Sequence, residues 1–212
     1  MKRTKHGLRA AVEVMGNNQI KVNLLFPTAV YCVDNFLCSQ DYTHLKNHLT
    51  RKPMVNGDAG WNADCSTTFG KQQIKDDDQL SFILDLVITE AQRFSAYLQT
   101  KPVLTCTNSW LNYYKPGNYQ EWHLHCNSYF SAIYIVEAQY KEDVILFENP
   151  SVGALTQTIN PIEQNSVNQN YSDYYSENNR LIIFRSFVKH MIPRTKGTRQ
   201  TMSFNIDAKE ST

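Results

Sequence analysis

At 212 residues, with 21 Lys and Arg against 20 Asp and Glu and a formal net charge of +1, the chain fits one domain of ordinary core size, or one domain with an extension. So even a charge balance gives no reason to expect nucleic acid or an anionic membrane as partner. Five cysteines (Cys32, Cys38, Cys65, Cys106, Cys126) are odd in number and lack C-x-x-C spacing, which argues against a zinc knuckle or a disulfide framework and for a reducing cytosol.

No apolar run approaches the roughly 18 residues of a membrane span. The basic start Met1-Lys2-Arg3-Thr4-Lys5 leads into no signal-peptide apolar stretch, so a soluble, unprocessed, cytoplasmic protein is expected. Residues 1–21, charged and carrying Gly16-Asn17-Asn18, read as a flexible arm that packs little. Asn23 to Tyr31, interrupted by Pro27, suits an edge strand. Ser39 is a candidate N-cap for a short helix whose apolar stripe is Tyr42, Leu45 and Leu49. A second helix is predicted to start at Asp76, Asp77 and Asp78, where the macrodipole favours negative charge. Its buried face is Leu80, Ile83, Leu84, Val87, Ala91, Phe94 and Leu98, and Pro102 stops it.

From Val103 the period changes to short β runs: Val103 to Tyr114, Ser131 to Val136, Val144 to Phe147, Leu181 to Phe184 and Thr201 to Ile206. Helices first and strands after, separated by turns such as Lys115-Pro116-Gly117-Asn118, predict an α+β protein with an antiparallel barrel or sandwich. Residues 156–180, rich in Asn, Ser and Gln, read as a long surface loop of the kind that forms lids or stays disordered.

Among the histidines, His6, His44 and His48 are expected to be structural, since no nearby carboxylate or cysteine completes a site. His123 and His125 differ. Two apart on an extended segment, they point to one strand face together with Glu121 and can reach one metal ion, although the spacing alone also fits a solvated face. His190 follows the apolar run Leu181-Ile182-Ile183-Phe184, and Arg199 stands nine positions further on.

The string Trp110-Leu111-Asn112-Tyr113-Tyr114-Lys115-Pro116-Gly117-Asn118-Tyr119-Gln120-Glu121-Trp122-His123-Leu124-His125, followed by Ser131 to Val136, Leu146 to Pro150, His190 and Arg199 to Asn205, resembles the 2-oxoglutarate/iron(II)-dependent oxygenases, a small bacterial and phage branch most of all. Leu25-Phe26-Pro27-Thr28 and Gly60-Trp61 are similar to that branch too, so the resemblance runs from residue 22 to the end. It implies a single domain over 22–212 with a double-stranded β-helix (jelly-roll) core and the two helices flanking it. It implies His123 as first iron ligand and His190 as the distal one. Arg199, with Thr201 beside it, would hold the distal carboxylate of 2-oxoglutarate through a bidentate charged pair. Tyr134 on a neighbouring strand would add a hydrogen bond, or else serve as a core aromatic. Arg194, next to Pro193, is a second basic candidate that a loop position makes weaker.

One departure stands out. The family's usual set is two histidines and one carboxylate, and His125 occupies the acid position. Three-histidine iron sites occur in other β-barrel dioxygenases, so the favoured metal set is His123, His125 and His190. Glu121 as a hidden carboxylate ligand, or an offset pair of His125 and Asn127, are the alternatives. The implied activity is oxygen- and 2-oxoglutarate-dependent hydroxylation of an unidentified substrate, with release of succinate and carbon dioxide. The rival classes are a cupin-like three-histidine metalloenzyme that does not use 2-oxoglutarate and a non-catalytic binding barrel. Trp110, Tyr113, Tyr119, Trp122 and Tyr129 are candidates to line a substrate pocket, without fixing a substrate class.

Overall fold

Strands whose side chains alternate between two faces need a cover on each, and here a second sheet covers one face and two helices the other. The computed structural model describes residues 9–10, 22–23, 27–51, 63–151, 162–165 and 168–210. In chain order these form β1 (Arg9–Ala10), β2 (Val22–Asn23), β3 (Val30–Val33), α1 (Ser39–Arg51), β4 (Ala63–Asp64), β5 (Ser66–Thr67), a 3-10 turn (Ile74–Asp76), α2 (Phe82–Tyr97), β6 (Val103–Tyr114), β7 (Tyr119–His123), β8 (Phe130–Ala138), β9 (Ile145–Glu148), β10 (Tyr171–Tyr174), β11 (Arg180–Arg185), β12 (His190–Ile192) and β13 (Arg199–Lys209).

Two antiparallel sheets carry the fold. One has the order β3-β11-β8-β13-β6-β5 and the other β10-β9-β12-β7-β4. On the outer face of the six-stranded sheet, Leu111, Ala132, Tyr134, Val136, Ile183, Met202 and Phe204 pack against Leu45 and Leu49 of α1 and Ile83, Val87, Ala91 and Phe94 of α2. On its inner face Ile133, Ile135, Ile182 and Phe184 meet Ile145 and Phe147 of β9 and Ile192 of β12. Full burial of each such side chain is worth about 1.5–3 kcal/mol, so the helices and the second sheet are both fixed by apolar burial.

The strands predicted from Val103 onward all form, whereas of the edge strand expected over Asn23–Tyr31 only Val30 and Tyr31 lie in β3, which is at a sheet edge; residues 27–29 precede it without strand pairing and 24–26 lie outside the described residues. Three expectations are corrected. Helix α2 begins at Phe82, because the acidic run serves a turn instead: Asp76 ends the 3-10 turn, and Asp77 Oδ1 accepts from the Gln79 amide while its Oδ2 meets His48 Nε2 at 3.0 Å. That contact also accounts for His48 as a structural residue. The Asn-rich stretch is not one long loop, since Tyr171–Tyr174 adds to β9 as an edge strand and Ser176 Oγ donates to Asp143 O. Residues 156–161 and 166–167 of that stretch, like Leu25-Phe26 and Gly60-Trp61, lie outside the described residues. Of the arm, β1 pairs with β2, and the rest of 1–21 lies outside the described residues. Among the described residues, no helix is long and apolar enough to cross a membrane.

Candidate active site

The site sits between the sheets, where β7 and β12 of one face β6, β8 and β13 of the other across a cleft. Gly117, at φ +89°, turns the chain from β6 into β7, and the Asn118 carboxamide accepts from the Lys115 amide at 2.7 Å to close the turn. The pairing of β7 with β12 then slips: His190 faces His123, but Ile192 faces Gln120. Four residues of β7, Gln120 to His123, thus span three of β12, His190 to Ile192. A bulge of this kind breaks the two-residue period. Gln120 and His123 both line the cleft, whereas Glu121 between them is exposed. The shared face expected for Glu121 and His123 is therefore absent, and the carboxylate is not in the cluster. His125 lies beyond the end of β7, held by its amide, which donates to Ser186 O at 3.2 Å.

His123, His125 and His190 converge with ligand atoms all within 4.8 Å of one another. Ring centroids are 4.2 Å apart for His123 and His190, 5.4 Å for His123 and His125, and 5.3 Å for His125 and His190. Nδ1 of His123 lies 2.7 Å from Glu121 O and Nδ1 of His190 lies 3.2 Å from Val188 O. A carbonyl only accepts, so both Nδ1 atoms carry the proton and each Nε2 keeps its lone pair. Burial is the main reason all three imidazoles sit below the ordinary histidine range. His125 is pushed down to about 4 by desolvation and then by His123, with the Asn205 side chain acting the other way. His190, 2% exposed among Phe147 and Phe184, is lowered well below that range. The result is three neutral nitrogen donors, a set that suits iron and other first-row divalent metals.

Arg199 opens β13 at the same cleft and is 1% exposed. Its guanidinium lies over the Tyr114 ring, 5.4 Å from the centroid, and Nη1 reaches Asp143 O at 3.4 Å. Nε and Nη2 have no hydrogen-bond partner. Desolvation works against its charge, while Tyr114 and Asp143 work in favour. A buried guanidinium with two unpartnered donor nitrogens is costly unless an anion completes it, and a carboxylate matches its fork. Thr201 and Ser203 follow on the same strand face and line the same cleft.

The structure thus brings together His123, His125, His190, Arg199 and Thr201. Tyr134 is not among them. It sits on the outer face of β8, edge-on to Phe36, with its hydroxyl donating to Asn179 Oδ1 at 2.9 Å, so it is a core residue. Arg194 donates to Gly117 O and lies 4.7 Å over Tyr119, away from the cluster. Asn127, of the offset pair, is an exposed turn residue at φ 76°. Of the five candidate aromatics, Trp110 lines the cleft, 5.9 Å from the His125 ring. Sequence reasoning passed over Tyr114 and Asn112. The signal was present in alternate polar positions on β6 and β13, including Asn108, Asn112, Thr201, Ser203 and Asn205, which an apolar face does not need.

A family model described as "Putative 2OG-Fe(II) oxygenase" matches residues 108–207, the span from β6 through most of β13. No curated protein matches. Among solved structures the chain is similar to a Pseudomonas putida prolyl-4-hydroxylase (11% identity, 86% of this chain and 94% of that one, TM-score 0.59). It is similar as well to a 2OG-Fe(II) oxygenase family oxidoreductase from Burkholderia pseudomallei (11%, 84% and 84%, 0.60). A third is HygX from Streptomyces hygroscopicus, solved with nickel and 2-oxoglutarate bound (12%, 85% and 83%, 0.61). Residues 108–207 thus match the model of that oxygenase family, and the surrounding fold is similar to that of these enzymes.

Proposed function

We propose that this protein is a jelly-roll hydroxylase in which His123, His125 and His190 hold Fe(II) and Arg199, with Thr201, anchors the distal carboxylate of 2-oxoglutarate. The observation that carries the reading is the presence, in one cleft, of three converging neutral imidazoles and a buried guanidinium with two unpartnered nitrogens. Facing antiparallel sheets in which β8 neighbours β13 and β7 neighbours β12 support the jelly-roll assignment. The five free cysteines suit a reducing cytosol.

Bound Fe(II) and 2-oxoglutarate supply oxygen activation and C–H oxidation, with succinate and carbon dioxide as co-products. The chain's own residues orient and shield. The carbonyls of Glu121 and Val188 fix the tautomers of His123 and His190 so that Nε2 is the donor. A neutral His125 in place of a carboxylate leaves one more positive charge at the site. That strengthens attraction for a dianionic cosubstrate and opposes further oxidation of the metal. Phe147 and Phe184 keep the His190 side dry.

The same three-histidine set favours a second reading, a cupin-like metalloenzyme without 2-oxoglutarate. Arg199 weighs against it, because that reading leaves the buried guanidinium without an acidic partner. Turnover of 2-oxoglutarate separates the two. The purified protein with Fe(II), oxygen and ascorbate as reductant is expected to convert 2-oxoglutarate slowly to succinate, even uncoupled from substrate, and His123→Ala to abolish this. An absence of iron-dependent succinate in the wild type, across a wide cosubstrate range, overturns the proposal.

A further inference from the structure

Arg199, Thr201 and Ser203 occupy alternate positions of β13 and line the cleft, and Asn112 of β6 lies directly across the ladder from Thr201. Asn112 is 1% exposed. Its Nδ2 donates to Thr201 Oγ1 at 3.4 Å and to Ser203 Oγ at 3.1 Å, while its Oδ1 has no hydrogen-bond partner. A carboxamide has two N–H hydrogens, and both are spent on hydroxyl lone pairs. A serine or threonine hydroxyl has one hydrogen of its own. With a lone pair occupied by Asn112, each hydroxyl keeps its own hydrogen for an acceptor on its other side, where Thr201 also meets the cleft-lining Tyr114 hydroxyl.

Resting on the cosubstrate reading above, we infer that Asn112 is a positioning residue that turns the Thr201 and Ser203 hydroxyls outward as donors to the carboxylates of a 2-oxo dicarboxylate. A fixed donor needs no reorientation when the anion arrives, and its hydrogen bond to a charged oxygen is stronger than one to a neutral group. Arg199 supplies the charge at one end of this row, and the two hydroxyls extend the donor edge along the strand. Asn112 does so without touching the ligand itself.

The test measures 2-oxoglutarate affinity anaerobically on the Ni(II)-loaded protein for the wild type, Asn112→Leu, Asn112→Asp, Thr201→Val and the double variant Asn112→Leu/Thr201→Val. Asn112→Leu is expected to weaken 2-oxoglutarate about 5- to 10-fold, the worth of a mis-set hydrogen bond, with Ni(II) affinity unchanged. Asn112→Asp, nearly isosteric, draws both hydroxyl hydrogens to itself and adds a like charge, so its loss is expected to be larger. In the Thr201→Val background the Asn112→Leu loss should shrink, because an orienter has little left to orient. Pyruvate, which lacks the distal carboxylate, should be weakened less than 2-oxoglutarate by Asn112→Leu.

Equal losses for pyruvate and 2-oxoglutarate, or full additivity with Thr201→Val, reduce Asn112 to a packing residue and overturn the inference. Wild-type affinity in Asn112→Asp overturns it too, and this variant serves if Asn112→Leu fails to fold. These outcomes leave the cosubstrate reading intact. Failure of the wild type itself to bind 2-oxoglutarate removes both.

Discussion

His190 on β12 pairs directly with His123 on β7, and their imidazole centroids lie 4.2 Å apart. Two candidate ligand positions 67 residues apart in sequence are therefore fixed by one ladder contact. If these rings hold metal, His123→Ala, His125→Ala and His190→Ala should each abolish stoichiometric Fe(II) or Ni(II) binding, measured by anaerobic titration calorimetry. Glu121→Ala should leave binding unchanged, since that side chain is exposed. The three alanine variants should differ in stability. His190 is packed among Phe147 and Phe184, so its loss opens a cavity and lowers the melting temperature, whereas His123→Ala should cost little.

The second prediction concerns acid. Burial lowers the three histidines in the folded chain, so between the unfolded value of about 6.5 and their folded values the unfolded state binds more protons. Stability from these groups is thus full above about pH 6.5 and is lost as pH falls toward 4. Thermal melts of chelator-treated protein should show the loss, and His125→Gln should flatten part of it. An identical slope in wild type and variant would count against a buried neutral His125.

Much of this arrangement is legible in the sequence, and the failures have physical causes. The strands and both helical stripes follow from periodicity, because one element face after another must be apolar. Tyr134 is placed wrongly by sequence because β8 is covered on both faces: Ile133 and Ile135 point to the second sheet, Tyr134 and Val136 to the helices, and all four are apolar. Glu121 is misplaced because the β7 bulge shifts the period by one residue, a long-range effect of pairing with β12. Asp76 to Asp78 suit a helix start, yet the chain uses them for a 3-10 turn and a contact with His48. The role of Asn112 is invisible without the register that sets it opposite Thr201.

Correcting the Tyr134 assignment yields a third prediction. Tyr134→Phe should leave 2-oxoglutarate affinity at the wild-type level while lowering stability by about 1 kcal/mol, the net worth of its hydrogen bond to Asn179 Oδ1. Asn179→Ala should cost more. That side chain also accepts from Leu37 N and donates to Leu37 O, both at 2.9 Å, and its backbone sits at φ 60°, where asparagine is better tolerated than alanine. Chemical denaturation of the two variants beside the wild type checks both.

A fourth prediction separates the two candidate arginines. Arg199→Ala should weaken 2-oxoglutarate by about 10- to 100-fold, the loss of a charge-assisted bidentate pair, with metal affinity held. Arg199→Lys should recover part of the loss, because an ammonium keeps the charge but not the planar fork. Arg194→Ala should change little, since its guanidinium is occupied with Gly117 O and the Tyr119 ring. The reverse ranking in cosubstrate titrations would move the anchor to Arg194.

The measurement that bears most directly on the central claim is anaerobic addition of Fe(II) and then 2-oxoglutarate, followed by visible absorption. The account predicts one Fe(II) per chain and, on adding 2-oxoglutarate, the weak charge-transfer band of a chelated 2-oxo acid, absent in His123→Ala and shifted to higher cosubstrate concentration in Arg199→Ala. Iron binding by the wild type with no such band at saturating 2-oxoglutarate would contradict it.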